Sequence, residues 1–215
     1  MINFPGKVKV CGLSRMEDVK AVNEYGADFA GFIFWPKSTR FVTIDKAAEL
    51  KKNLDPSIRS VGVFVNTPVE AVAAIADAGI IDMIQLHGKE DGRYISKLRS
   101  LTKCEIIKAV KVESVDDILK ADEINADYLL LDNGKGTGDT FDWKSLEFAE
   151  KKMNHLYFLA GGLCEENLTE AISRFHPFAF DLNSGVETDL KKDPEKIRRC
   201  IQIIKGTRVY EFHRK

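Results

Sequence analysis

Two side chains far apart in the chain have the chemistry of a base and an acid. Cys11 ends the run Lys9-Val10-Cys11-Gly12, and Asp132 ends the run Tyr128-Leu129-Leu130-Leu131-Asp132. A thiol ionises near pH 8.5 and becomes a useful base where a nearby cation favours the thiolate. A carboxyl at the end of an apolar run is costly unless it is solvated or used. The bland readings are a small buried hydrophobe for Cys11 and a loop or helix-capping aspartate for Asp132. Placed on two strands that open toward the same end, the pair would serve opposite sides of one small substrate.

Other residues suggest what that substrate carries. The segments Ala160-Gly161-Gly162-Leu163 and Asn183-Ser184-Gly185-Val186-Glu187 combine bare backbone amides with a hydroxyl. That is what a phosphate needs, so Gly161, Gly162, Asn183, Ser184 and Gly185 are the phosphate-binding candidates; two tight glycine turns are the alternative. Arg40, in Pro36-Lys37-Ser38-Thr39-Arg40, is a candidate clamp for a substrate carboxylate, or else a solvated surface arginine. Alternation puts Gln85 and His87 on one face, which makes His87 a substrate-facing candidate or a packed histidine. The segment 133–140 carries Gly134, Gly136 and Gly138 and reads as a mobile loop; it matches neither phosphate-loop nor dinucleotide spacing. His155, His176 and His213 have no partners at metal-ligand spacing, so neither a metal nor an organic cofactor is expected.

Short β-branched or aromatic runs alternate with amphipathic stretches along the whole chain. Strands are expected at Val8–Cys11, Phe29–Phe34, Ser60–Val65, Met83–Leu86, Glu105–Ala109, Tyr128–Asp132, Leu156–Ala160 and Ala179–Leu182. Helices are expected between them, several opening on recognisable caps: Ser14 before Glu17, Thr67 before Pro68, Ser114 before Asp117. Strands separated by a helix run parallel, and eight such units suit a single-domain (β/α)8 TIM barrel better than an open doubly wound sheet. In a barrel, chemistry gathers at the carboxyl ends of the strands, where Cys11 and Asp132 fall. The barrel is expected to span residues 1–206, with 207–215 a polar tail.

Bulk properties fit this picture. The chain has 215 residues, 44% of them hydrophobic, enough for one sizeable core. With 32 basic and 33 acidic residues it carries a formal charge of −1, so no nucleic-acid or membrane-surface partner held mainly by charge is expected. A small phosphorylated molecule remains open as a ligand. No segment reads as an export signal or a membrane span, and Cys11, Cys104, Cys164 and Cys200 form no CxxC pair. A cytoplasmic protein with reduced thiols is the expectation, as a monomer or a homodimer.

Ten ordered segments between Val8 and Ile204 resemble phosphoribosylanthranilate isomerases. They are Lys9-Val10-Cys11-Gly12-Leu13, Gly26-Ala27-Asp28, Gly31-Phe32-Ile33-Phe34, Ser38-Thr39-Arg40, Val61-Gly62-Val63-Phe64-Val65-Asn66, Gln85-Leu86-His87-Gly88, Leu130-Leu131-Asp132, Phe141-Asp142-Trp143 and the two glycine segments above. The resemblance implies the Amadori rearrangement of N-(5-phosphoribosyl)anthranilate, a step of tryptophan synthesis. It implies Cys11 as general base, Asp132 as general acid, Arg40 on the anthranilate carboxylate, and phosphate on the last two loops. Asp132 would then have to be protonated near neutral pH. Lys9 shares a face with Cys11 and either favours its thiolate or pairs with Asp181, itself a substrate-binding candidate. Asn183 stands where that family more often has serine. A histidine-pathway barrel isomerase and a non-catalytic phosphate-binding barrel are the rival readings; the first lacks a strand-one cysteine, and the second gives no reason to keep Cys11, Asp132 and Arg40 together.

Overall fold

Each apolar run forms a strand, and each amphipathic stretch a helix lying over it. The strands are β1 (Lys7–Cys11), β2 (Phe29–Ile33), β3 (Arg59–Phe64), β4 (Met83–Leu86), β5 (Glu105–Lys111), β6 (Tyr128–Asp132), β7 (Leu156–Leu159) and β8 (Ala179–Leu182). The helices are α1 (Met16–Tyr25), α2 (Ile44–Lys51), α3 (Val69–Asp77), α4 (Gly92–Leu101), α5 (Val115–Ala121), α6 (Trp143–Glu150), α7 (Glu165–Arg174) and α8 (Pro194–Tyr210). This structure, a computed structural model, describes residues 6–132 and 143–210; Gly134, Gly136, Gly138 and His213 lie outside the described residues.

The eight strands pair in sequence order, all parallel, and β8 returns to β1 to close a barrel. The open-sheet alternative is thereby excluded. Closure follows from register: Lys9 lies beside Asp181 across β1 and β8, and Cys11 beside Gly31 across β1 and β2. Outward-facing Val8, Val10, Ile84, Leu86, Leu129 and Leu131 pack under the helices in the main core. Inward-facing Val61, Met83, Ile107, Leu130 and Phe158 fill the barrel. At the amino end of the strands, Phe29, Tyr128, Phe158 and Phe178 pack ring against ring, and Lys7 Nζ lies 4.2 Å from the Phe178 centroid. Among the described residues the interior is a plugged core, and the carboxyl end is open.

Three local details differ from the sequence expectations. The α1 cap sits one residue later than Ser14 and Glu17: the Asp18 carboxylate accepts from the Ser14 and Arg15 backbone N–H groups at 2.9 and 3.0 Å. Helix α3 begins at Val69, with Pro68 rather than Thr67 at the cap. The Ser114 and Asp117 box caps α5 as expected. A small hairpin, β9 (Glu187–Thr188) and β10 (Lys191–Lys192), follows β8 and was not expected from sequence. Its central residues, Asp189 and Leu190, both take positive φ, as a tight two-residue hairpin turn requires.

An aspartate recurs just before β2, β4 and β6. Asp28 accepts from Val8 N at 2.8 Å, Asp82 from Ser60 N at 2.7 Å, and Asp127 from Ile106 N at 2.7 Å. Each returns its own N–H to the carbonyl of the residue it caps, at 2.8 to 2.9 Å. Each also meets a cation from a helix: Lys205, Lys51 and Arg99 respectively. The device satisfies strand-start N–H groups that would otherwise be buried without acceptors.

Partial burial alone would raise the Asp82 carboxyl; Lys51 and Ser60 outweigh it and hold the group below the ordinary carboxylate range. The stabilisation is therefore complete above about pH 4 and is lost as the pH falls through the depressed value. Asp82→Ala should cost about 1–2 kcal/mol, a melting temperature lower by roughly 3–6 °C, because it leaves Ser60 N without an acceptor. The gap between variant and parent should narrow below about pH 4. Thermal unfolding at several pH values checks this, and an unchanged melting temperature at pH 7 would contradict it.

Candidate active site

The open end of the barrel holds a cavity of about 330 Å³. Its wall includes Cys11 from β1, His87 after β4, Asp132 from β6 and Asp181 from β8. Arg40, Gly161, Gly162, Asn183, Ser184 and Gly185 complete the set expected from sequence. Every candidate within the described residues thus meets in one place. A larger open recess of about 640 Å³ lies at the opposite end, beside the start of β7. Its charges are spent on each other, Arg174 on Glu147 and Glu170, and the Tyr157 hydroxyl on Glu150. It offers no convergent chemistry.

Cys11 reaches the mouth because β1 alternates, and because Gly31 beside it has no side chain. A Cβ on Gly31 would stand 2.7 Å from Cys11 Sγ. Beneath the thiol lies Lys9, fully buried, with its Nζ 2.9 Å from both Asp181 oxygens. Burial opposes the ammonium, but the Asp181 carboxylate outweighs it and holds Lys9 above its usual value. Burial also pushes the Cys11 thiol up; the Lys9 and Lys192 ammonium groups pull it down, and Asp181 pushes it up. Lys9 therefore does both things considered from sequence. It pairs with Asp181 and it faces the Cys11 sulfur. Asp181 lines the cavity, but Lys9 engages both its oxygens.

Asp132 stands across the mouth on β6. His87 Nε2 lies 3.8 Å from Asp132 Oδ2. Burial pushes the Asp181 carboxyl up, Lys9 opposes this, and Asp132 adds to the upward push. Desolvation holds His87 below its usual value, with Asp132 opposing. Below His87 on the same strand face, Gln85 Nε2 donates to His87 Nδ1 at 2.9 Å. Outside β4, Lys108 Nζ donates to Gly88 O at 2.7 Å and to Glu90 at 3.2 Å; Glu90 in turn accepts from the Asn66 and Gly88 N–H groups. This buried pair fixes the turn that carries His87.

Arg40 is already engaged. Its Nε and Nη2 donate to the Glu187 carboxylate at 2.6 and 2.5 Å, while Nη1 donates to no described residue. Glu187 also accepts from Lys192 Nζ at 2.6 Å, and the same ammonium donates to Asn183 O and Oδ1 at 3.0 and 2.9 Å. Burial alone would raise Glu187, but Arg40 and Lys192 outweigh it and hold it below the ordinary range. Gly12, at φ 81°, lets this network close, since a Cβ there would stand 2.7 Å from Arg40 Cδ. The hairpin β9–β10 thus orients Arg40 from behind and leaves one guanidinium nitrogen for another anion.

The last two loops form a cup of backbone amides. Gly161 and Gly162 take φ of 91° and 71°, open to glycine at no steric cost. The Asn167 side chain donates to Gly162 O at 2.9 Å, which turns the N–H of the same peptide, that of Leu163, the other way. A Cβ on Gly185 would lie 2.0 Å from Leu163 O, so only glycine lets the two loops touch. Among the described residues, no acceptor takes the Gly162 or Leu163 N–H. No group of three or more His, Cys, Asp or Glu among the described residues is arranged to hold a metal. Gln85, Trp35, Ser38, Glu187 and Lys192 were not singled out from sequence. Only Gln85 and Glu187 had a legible signal, the first sharing a face with His87 and the second ending a glycine segment.

Comparison with known proteins gives one answer. Residues 8–203 match the family model described as N-(5'phosphoribosyl)anthranilate (PRA) isomerase. The chain is 42% identical over 204 residues to N-(5'-phosphoribosyl)anthranilate isomerase of Listeria innocua, covering 93% of this chain and 98% of that one. It is similar to the phosphoribosyl anthranilate isomerase structure from Thermotoga maritima at 35% identity and TM-score 0.86, covering 94% and 99% of the two chains. A third relative, 36% identical with TM-score 0.83 and the same coverage, was solved with reduced 1-(o-carboxyphenylamino)-1-deoxyribulose 5-phosphate.

The charges around Cys11 make a prediction of opposite signs. Lys9→Met removes a cation that favours the thiolate, so the Cys11 value should rise further; Asp181→Asn removes an anion that opposes it, so the value should fall. Alkylation rates against pH, followed on the Cys11 peptide by mass spectrometry, read both. Shifts of the same sign, or none, would contradict the assignment.

Proposed function

Because the chain belongs to the N-(5'-phosphoribosyl)anthranilate isomerase family, we propose that its barrel mouth performs the family's reaction with Cys11 as general base and Asp132 as general acid. The reaction is the Amadori rearrangement of N-(5-phospho-β-D-ribosyl)anthranilate to 1-(2-carboxyphenylamino)-1-deoxy-D-ribulose 5-phosphate in tryptophan biosynthesis, and the chain is an isomerase. The family assignment sets aside the histidine-pathway rival. The observation that carries the residue roles is the convergence of Cys11 and Asp132 on one cavity from strands β1 and β6.

The substrate has two anionic ends with a pentose between them, and the cavity has matching parts. The phosphate would sit on the amides of Gly162, Leu163, Ser184 and Gly185, close to Asn183 and the start of α7. The anthranilate carboxylate would take the free Nη1 of Arg40, which Glu187 holds from its other edge. Trp35, Ile33 and Val63 line the cavity as an apolar wall for the aromatic ring. The pentose then lies over the barrel axis, between sulfur and carboxyl.

Asp132 begins protonated and gives its proton to the ring oxygen as the C1′–O bond breaks. The nitrogen lone pair moves in to form the iminium. Cys11, as thiolate, takes the proton from C2′; the electrons form a C1′–C2′ double bond and neutralise the nitrogen. The enolamine gains a proton at C1′ and loses its enol proton, leaving the ketone at C2′. Burial makes the Cys11 thiolate a strong base, and Lys9 supplies the counter-charge while the anion exists. The remaining site candidates act around this pair, His87 facing Asp132 and Asp181 acting through Lys9. No metal or organic cofactor enters any step.

The same reading puts the enzyme in the cytoplasm, with a small phosphorylated substrate and as a monomer or a homodimer. In its support, no described helix is long and apolar enough to cross a membrane. The Thermotoga maritima relative is described as dimeric.

Purified protein is expected to consume phosphoribosylanthranilate, followed by the fall in its fluorescence. Cys11→Ala and Asp132→Asn should each lower turnover by roughly 100-fold or more, with circular dichroism unchanged. Near-normal turnover in either variant removes that residue from the mechanism.

A further inference from the structure

Gln85 is buried to 1% exposure and lines the cavity, yet its Oε1 has no hydrogen-bond partner among the described residues. Its other end is engaged, with Nε2 donating to His87 Nδ1. An amide nitrogen only donates, so His87 Nδ1 must be the bare nitrogen, and the proton of the neutral ring sits on Nε2. That N–H faces Asp132 Oδ2 at 3.8 Å. The opposite amide orientation would bury two N–H donors without acceptors at the Oε1 position, which is unfavourable.

We propose that Gln85 is a further working residue of this mouth: its amide N–H fixes His87 as the Nε2–H tautomer aimed at Asp132, and its unpartnered carbonyl accepts a hydroxyl of the substrate's pentose. The substrate's chemistry selects the hydroxyl. Its ionised phosphate and carboxylate carry no protons to donate and its anilino N–H faces the ortho carboxylate beside it, whereas the pentose hydroxyls, held over the barrel axis, are free to donate. The tautomer matters at the acid step. When Asp132 gives up its proton, the carboxylate left behind faces the His87 Nε2–H at 3.8 Å, so the developing charge meets a donor dipole already oriented toward it. This rests on the placement of the pentose between Cys11 and Asp132 proposed above.

Nitrogen-15 NMR of histidine-labelled protein tests the first half without substrate. His87 is expected with Nε2 protonated and Nδ1 bare; a protonated Nδ1 would overturn the proposal. Gln85→Met keeps the side-chain length and removes both donor and acceptor. It should scramble the tautomer and lower kcat/KM roughly 10- to 100-fold, the scale of one buried hydrogen bond lost at a reacting site. Gln85→Glu restores an acceptor but not the donor. Its carboxylate draws the ring proton to Nδ1, so kcat should stay low even though a pentose hydroxyl can still be bound. The charged groups facing His87, Lys9 from β1, Lys108 from β5, Asp132 from β6 and Asp181 from β8, are unchanged in Gln85→Met, which adds no charge of its own, so a tautomer change there reports Gln85 alone. A Gln85→Met enzyme within about twofold of the parent overturns the proposal, provided Cys11→Ala and Asp132→Asn are inactive. If those two variants are active instead, the placement of the pentose falls first. Should Gln85→Met fail to fold, the tautomer of the parent protein still decides.

Discussion

The contact between the Lys9 ammonium and the Asp181 carboxylate ties the first strand to the last, directly beneath the sulfur of Cys11. Removing one partner of such a buried pair costs about 3–5 kcal/mol, because the other is left charged and unpaired. A barrel that only needed to close could place two apolar residues there. Instead the position holds opposite charges of which one, Lys9, faces the thiol, and the other, Asp181, senses Asp132 across the axis. The fold's seam and the site's electrostatics are therefore one feature.

The two ends of the barrel divide the work. At the amino end, aspartates before β2, β4 and β6 take up strand-start N–H groups, and a ring of aromatics seals the interior. At the carboxyl end, glycines are required by close approach: Gly31 against the Cys11 sulfur, Gly12 against Arg40, Gly185 against the Leu163 carbonyl. The first of these contacts sets strand β2 against β1, and the other two set one loop against the next. The mouth is a set of loops held at contact distance by missing side chains. Fixed geometry of this kind is what lets weak acids and bases work on a small substrate.

Much of this was legible in the chain. Alternation of apolar runs with amphipathic stretches is enough to lay out eight parallel units, and the rule that chemistry gathers at strand carboxyl ends singles out Cys11 and Asp132. The glycine segments after β7 and β8 were readable as loops that line the cavity with bare amides. Lys192 was not, since the pair Lys191-Lys192 resembles a solvated surface run; only the hairpin reveals that Lys192 is 4% exposed and donates to Glu187 and Asn183. The engagement of Arg40 was equally hidden, because Glu187 lies 147 positions away in sequence. The recurring aspartates did leave a trace, in Ala27-Asp28-Phe29, Ile81-Asp82-Met83 and Ala126-Asp127-Tyr128, which a search for internal repeats would find. Gln85 was passed over because half its role is a missing partner, and sequence shows no absences of that kind.

The most direct measurement is a crystal structure of this protein with reduced 1-(o-carboxyphenylamino)-1-deoxyribulose 5-phosphate bound. The expected result places the Cys11 sulfur within about 3.5 Å of the sugar carbon that loses its proton, with an Asp132 oxygen on the opposite side and the phosphate on the Gly162 and Gly185 loops. A ligand seated with either Cys11 or Asp132 out of reach of the sugar, or with its phosphate away from those loops, would contradict it.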